Sequence, residues 1–263
     1  MKNSRRTFMQ GLVTITAGSL MPLSFTNIKP LSDPMENISS FDKPNLLIFD
    51  VNETLLDLSG MKARMIKAFD HEFAFNQWFS LMLQYSLVDN VTGEYHNFGE
   101  IGKAAFQMTE QMLEKKVPEN EKNEILQMIR QLPPHPEVEN ALLMLKEAGY
   151  RMVTLTNSTE EVVKQQMESA GLTKFFETLL SIDPMRKYKP APETYREASK
   201  KLGVRPEEAM LIAAHGWDIT GALLAGLQAA FISRKGKAHY PLAPNPHYRG
   251  DSLTSIAEKL VKL

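Results

Sequence analysis

Five short apolar runs, separated by helix-like segments, constrain this chain more than any other feature. The runs cover residues 46–49, 152–155, 178–182, 210–214 and 229–232. Short runs that are mainly apolar and do not alternate with charged residues predict parallel strands that are buried on both faces. Helices that would cover them are expected over residues 136–148, 160–170 and 192–202, and a glycine follows each one. We therefore expect an α/β fold with a Rossmann-like parallel sheet.

Residues 58–132 interrupt this alternation. They show helical periodicity and no convincing buried strand, and Pro133, Pro134 and Pro136 close the segment. The pattern predicts a helical cap over residues 58–132, inserted into an α/β core that is formed by residues 44–57 and 133–263.

The amino terminus has the charge order of an export signal. Lys2, Arg5 and Arg6 precede an uncharged apolar stretch over residues 11–25, which is too short for a confident membrane span. The arginine pair resembles a twin-arginine signal. We expect residues 1–30 to be a signal peptide read by the twin-arginine export machinery, residues 31–43 to be a linker, and the protein to be periplasmic. An ordinary Sec signal or an uncleaved anchor is the alternative.

Composition excludes several kinds of chemistry. The chain has no cysteine, which excludes disulfides, thiolate nucleophiles and cysteine-based metal sites. Its formal net charge of -1 gives no reason to expect nucleic acid as a partner. The nucleophile of any covalent reaction must therefore be oxygen or nitrogen.

Polar residues follow the predicted strands. Asp50 follows the first strand, Thr156 and Asn157 the second, and Asp218 the fourth, while Lys189 lies in the loop beyond the third. Open parallel sheets bind ligands outside the carboxyl ends of their strands, so these side chains should meet at one edge. Two carboxylates, a lysine and a hydroxyl are suited to covalent catalysis by a carboxylate beside a fixed cation.

Four segments carry a family resemblance. They read FDVNETLLD at 49–57, LTNS at 155–158, YKPAPETY at 188–195 and AAHGWDITGA at 213–222. In order and spacing they resemble the motifs of the haloacid dehalogenase superfamily, and the last two are most similar to the L-2-haloacid dehalogenase (type II) branch. The resemblance spans about residues 45–233. It implies a hydrolase that uses neither metal nor cofactor.

The resemblance also implies roles at matching positions. Asp50 would displace halide from C2 of a small (S)-2-haloacid and form a covalent aspartyl ester, which water then cleaves. Thr156 would hydrogen-bond the Asp50 carboxylate, and Asn157 would bind the carboxylate of the substrate. Lys189 would neutralise both carboxylates, while Asp218 would orient Lys189 and help to place water.

Further residues are implied to shape the pocket. The substrate-binding set would be Asn52, Thr54, Asn157, His215, Trp217, Leu83 and Phe98. Thr54 would fix the turn that aims Asp50, His215 would be a polar pocket residue, and the last three would be apolar walls. Each wall residue also has an alternative role in the core. Related dehalogenases are often dimers, so a homodimer is a further expectation, besides a small carboxylate-bearing substrate.

Four positions depart from the pattern. Asn52 stands where superfamily phosphatases carry a second aspartate that protonates the leaving group. A halide leaves without a proton, so Asn52 favours dehalogenation. Against this, Phe79 stands where dehalogenases typically have a halide-binding arginine, His215 where they commonly have asparagine, and Glu53 where glycine is usual.

Two other functions therefore stay open. One is a Mg²⁺-dependent phosphatase, with the ion held by Asp50, the backbone carbonyl of Asn52 and Asp218. The other is a catalytically silent periplasmic binding protein, because a fold does not fix a function. Phe79 and Glu53 are the residues that keep this second alternative open.

Overall fold

A computed structural model describes residues 43–263 of the chain. The predicted signal peptide at 1–30 and the predicted linker at 31–43, apart from Lys43, lie outside the described residues. No helix in residues 43–263 combines the length and the apolar character that a membrane crossing needs.

The part of the chain that the structure describes contains a six-stranded parallel sheet with the strand order β3-β2-β1-β4-β5-β6. The strands are β1 (Leu46–Phe49), β2 (Arg151–Thr156), β3 (Thr178–Ser181), β4 (Ala209–Ala213), β5 (Gln228–Ile232) and β6 (Tyr248–Gly250). The first five match the five apolar runs, with ends that differ by at most one residue at any position. The strand β6 has no such run because it is short and only partly buried at the edge of the sheet.

Helices cover the sheet and fill the segment between β1 and β2. They are α1 (Ser59–Phe69), α2 (Ala74–Thr92), α3 (Phe98–Met112), α4 (Glu119–Gln127), α5 (Val138–Glu147), α6 (Glu160–Ser169), α7 (Pro192–Lys201), α8 (Gly216–Ala225) and α9 (Leu253–Leu260). The predicted helix stop after α5 is observed, since Gly149 has a φ of +82°. The prediction of a Rossmann-like α/β fold is confirmed.

Between residues 58 and 132 the structure shows α1 to α4 and one 3-10 helix, Met128–Gln131. A capping box begins α3, since the Asn97 side chain accepts from the backbone N–H of Glu100 and the Glu100 side chain accepts from that of Asn97. The side chain of Asn90 in α2 both donates to and accepts from the backbone of Tyr188, each at 2.9 Å. These bonds attach α2 to the loop that carries Lys189.

Candidate active site

The ammonium group of Lys189 lies at the carboxyl edge of the sheet, between two carboxylates. Its Nζ donates to Asp50 Oδ1 at 2.9 Å, to Asp218 Oδ2 at 2.6 Å and to the backbone oxygen of Leu155 at 2.8 Å. Asp50 directly follows β1, and Asp218 lies in the first turn of α8. The structure therefore brings together three of the four residues that the sequence predicts to be catalytic.

The charges of this group stabilise one another. Burial alone would raise the pKa of Asp50, but the Lys189 ammonium and the His215 ring hold it well below its ordinary value. Burial alone would lower the pKa of Lys189, but Asp218 and Asp50 raise it. At neutral pH, Asp50 is therefore an ionised carboxylate beside a charged lysine, as a nucleophile requires.

The hydroxyl group on Asp50 comes from Thr54. Thr54 Oγ1 donates to Asp50 Oδ2 at 2.6 Å and accepts from the backbone N–H of Ala214 at 2.9 Å. Thr156, which was expected to make this bond, instead accepts from the backbone N–H of Ser158 at 3.2 Å. The reason is geometric, because Thr54 lies one helical turn after Asp50 in the turn that follows β1.

Asn157 and Asn52 support the site from its neighbouring loops. Asn157 Oδ1 accepts from the backbone N–H of Lys189 at 3.0 Å and thereby holds the catalytic loop. Asn52 Nδ2 donates to Ser158 Oγ at 3.2 Å, and Asn52 Oδ1 accepts from Gln166 Nε2 at 2.9 Å. The binding of substrate by these two asparagines stays a prediction.

His215 joins Asp50 to a second carboxylate. Its Nδ1 lies 3.1 Å from Asp50 Oδ2, and its Nε2 lies 2.9 Å from Glu53 Oε2. Burial would lower the pKa of His215, but the hydrogen bonds to Asp50 and Glu53 outweigh it and raise the pKa. The imidazolium form, which donates from both nitrogens, suits this arrangement. The ammonium of Lys237 forms an ion pair with Glu53 on its other side.

Glu53 occupies an unusual backbone conformation. Its φ is +61°, in the left-handed region where glycine has no steric cost. This explains physically why glycine is usual at the position. The sequence showed Glu53 and His215 as two separate positions that differ from the usual family residue. Nothing in their spacing predicted that the two side chains contact each other.

Aromatic rings from both sides close the site. The Phe79 ring stacks on His215 at 6.1 Å between centroids, and the Trp217 ring stacks on the same imidazole at 5.2 Å. Phe79, Leu83, His215 and Trp217 line a cavity of about 460 Å³. Phe98 lines a different cavity of about 380 Å³, which Phe79 also borders. The three predicted apolar walls are therefore divided between two cavities.

Asp50 lines neither of these cavities. It is 4% exposed, and Asn52 and His215, which flank it, line the smaller and the larger cavity respectively.

Tyr195 is a site residue that the sequence reasoning did not select. Its hydroxyl donates to Asp218 Oδ1 and is fully buried. This tyrosine ends the third motif, so the signal was available. It helps to hold Asp218 in the orientation that bonds to Lys189.

The divalent cation of the phosphatase alternative would compete with Lys189 for the two carboxylates assigned to it. Lys189 bonds to both carboxylates, so its ammonium already provides the positive charge between Asp50 and Asp218. Within residues 43–263 no group of three histidine, aspartate or glutamate side chains is placed to hold a metal ion.

With the fold and the site described, comparison with known proteins gives the family. The family model described as haloacid dehalogenase-like hydrolase matches residues 44–226, more than half of the chain, so this chain belongs to that hydrolase family. This confirms the resemblance that the four motifs carry.

Individual relatives agree with the family. The chain is 29% identical over 221 residues to (S)-2-haloacid dehalogenase 1 of Pseudomonas sp. (strain CBS-3), covering 82% of this chain and 96% of that protein. It is 29% identical over 171 residues to haloacetate dehalogenase H-2 of Moraxella sp. (strain B), covering 65% and 76%. The solved structure of L-2-haloacid dehalogenase from Xanthobacter autotrophicus has a TM-score of 0.76 at 23% identity, covers 83% of this chain and 98% of that one, and shows the shared fold.

Proposed function

We propose that this hydrolase removes halide from (S)-2-haloacids by covalent catalysis at Asp50, without a metal ion. The observation that carries the proposal is the ionised Asp50 carboxylate, held by Lys189 and Thr54. The names of the relatives support the substrate class. Asn52 at the position of the phosphatase acid supports a leaving group that needs no proton.

In the first half-reaction, an oxygen of Asp50 attacks C2 of the substrate and a C–O bond forms as the carbon–halogen bond breaks. The halogen leaves as halide with the bonding electron pair. Lys189 stabilises the reacting carboxylate through its fixed charge, and Asp218 and the Leu155 carbonyl fix the ammonium in place. The carboxylate of the substrate would bind beside Asn157, where the resemblance places it.

In the second half-reaction, His215 acts as the general base. Ester formation removes the negative charge of Asp50, which is one of the causes that raise the pKa of His215. The imidazole can then lose its proton to solvent and accept one from a water that attacks the ester carbonyl carbon. Glu53 stabilises the imidazolium that forms, as the third member of a catalytic triad does. The imidazolium of His215 then gives this proton to the departing alkoxide as the acyl C–O bond of the ester breaks. The restored Asp50 carboxylate again stabilises the charged form of His215.

Replacing His215 by Ala is therefore expected to slow ester hydrolysis by about 10²- to 10⁴-fold and to leave the ester on the enzyme. Mass spectrometry of the intact protein during turnover of (S)-2-chloropropionate would show the ester mass accumulating in the variant. In the wild type, the rate of ester hydrolysis should fall at low pH, because His215 of the ester form becomes protonated. The variant should not show this fall.

A matched control is His239→Ala, which changes a histidine of the same cavity that bonds to the backbone oxygen of Pro244 rather than to Asp50. It should show no accumulation. An ester that decays at the wild-type rate in His215→Ala, with the same fall in rate at low pH, would remove His215 from the mechanism.

The proposed function is tested by incubating mature protein with (S)-2-chloropropionate and measuring released halide with and without a chelator. Halide release that is insensitive to chelator is expected. Chelator-sensitive cleavage of phosphate esters without halide release would support the phosphatase instead. Thermal stabilisation by either ligand without turnover would indicate a binding protein.

Three further features belong to the proposal. We propose that residues 58–132 act as a cap, supported by Phe79 of α2, which stacks on His215 over the nucleophile. Export to the periplasm by the twin-arginine machinery is proposed from Arg5 and Arg6 in residues 1–30. A homodimer is proposed from the family alone.

A further inference from the structure

The smaller cavity is large for the small acids named in the relatives. Its volume of about 380 Å³ falls within the range that holds drug-sized ligands, whereas 2-chloropropionate has only a few non-hydrogen atoms. Its inner end is formed by Asn52 and Ser158, both buried, and Asn52 lies two residues after the nucleophile. The cavity is also joined to the site through Phe79, which lines it and stacks on the His215 ring that contacts Asp50.

The walls of this cavity present apolar surface. They include the side chains of Trp78, Met82, Phe98, Leu126, Ile129 and Val162. The Trp78 Nε1–H donates to the backbone oxygen of Gly102 at 2.9 Å, so the indole leaves its hydrocarbon surface for contact. Charged side chains lie at the outer end, where Arg130 is paired with Glu161 at 2.9 Å. The middle of the cavity thus suits a hydrocarbon group.

The polar groups at the inner end are already engaged with one another. Asn52 Nδ2 donates to Ser158 Oγ, and Asn52 Oδ1 accepts from Gln166 Nε2. A ligand part that enters here gains little from polar atoms and gains from burying carbon. C2 of a 2-haloacid carries a carboxylate, which is polar, and a halogen, which leaves during the reaction. The carbon side chain on C2 is therefore the group that fits this cavity.

We propose that this cavity is a subsite for the C2 side chain, and that the substrates are 2-haloalkanoates with an apolar chain of about four to six carbons. The proposal rests on the proposed function, because it extends the same site. Each buried methylene should raise kcat/KM by about fourfold until the cavity is filled.

The experiment compares kcat/KM for (S)-2-bromopropionate, (S)-2-bromobutanoate and (S)-2-bromohexanoate. For the wild type, kcat/KM should rise at least about tenfold from the shortest acid to the longest. Val162→Phe fills the cavity from α6 and should bring the ratio between 2-bromohexanoate and 2-bromopropionate close to one. The matched control is Lys164→Phe, which adds the same ring on an exposed position of α6.

Leu126→Phe, from α4, is a second filling variant if Val162→Phe does not fold. A flat or falling series in the wild type would overturn the subsite while leaving the proposed function in place. A rising series that neither filling variant alters would also overturn it. Failure of every bromoacid, including 2-bromopropionate, would instead contradict the proposed function, and the subsite with it.

Discussion

Replacing Asp50 by Asn is expected to lower the rate of halide release by at least about 10⁴-fold, to the level of the background reaction. The amide has the shape of the carboxylate but lacks the charged oxygen that attacks C2. The measurement is kcat for halide release from (S)-2-chloropropionate, together with thermal unfolding to show that the variant is folded.

Asp70→Asn is the matched control. Asp70 is an exposed aspartate with φ +52° at the end of α1, and asparagine tolerates that conformation. Its activity should equal that of the wild type. Equal rates of halide release in Asp50→Asn and wild type would show that Asp50 is not the nucleophile.

Replacing Lys189 by Met is expected to remove activity and to reduce the free energy of unfolding by about 3–5 kcal/mol. The ammonium is buried between Asp50 and Asp218, and its loss leaves two buried carboxylates without a cation. Denaturant unfolding would measure the stability change, and halide release the loss of activity. Lys200→Met removes an exposed lysine from α7 and should change stability by no more than about 0.5 kcal/mol.

The pH dependence of the stability loss in Lys189→Met distinguishes uncompensated buried charge from a simple loss of packing. In the wild type the lowered pKa of Asp50 contributes stability that is present above the unfolded pKa and is lost as pH falls. In Lys189→Met, burial raises the pKa of one of the two carboxyls, Asp50 or Asp218. The folded variant therefore binds a proton more readily than the unfolded chain does. The destabilisation of Lys189→Met should therefore be smaller at pH about 5 than at pH about 8. A deficit that does not change with pH would contradict the buried-charge explanation.

Much of the fold follows from local sequence patterns. Short runs that are mainly apolar favour burial on both faces of a sheet, which is why β1 to β5 were predictable. The strand β6, Tyr248–Gly250, has no comparable run, because it has only three residues and none of them is fully buried. Residues 58–132 were predicted as helical from periodicity, and the structure has helices there.

The central part of the site was predictable for a topological reason. The carboxyl ends of neighbouring parallel strands meet, so the pairing of β1 with β4 brings Asp50 and Asp218 to one edge. Lys189 lies in the loop after β3, two strands from β1, and the length of that loop and of its side chain lets Nζ reach both carboxylates. The contact between His215 and Glu53 was not predictable in this way, because it depends on the positive φ of Glu53 and on side-chain rotamers. Thr54, rather than Thr156, bonds to Asp50. The motif order could not decide between them, because both hydroxyls lie at the same edge of the sheet.

The most direct test of the covalent mechanism is a single turnover of (S)-2-chloropropionate in water labelled with heavy oxygen, followed by mass spectrometry of the peptide that contains Asp50. Attack of water on the ester carbonyl carbon should place the label in the Asp50 carboxylate, and the first molecule of product should contain unlabelled oxygen from the enzyme. Label in the product alcohol with none in Asp50 would contradict the covalent mechanism.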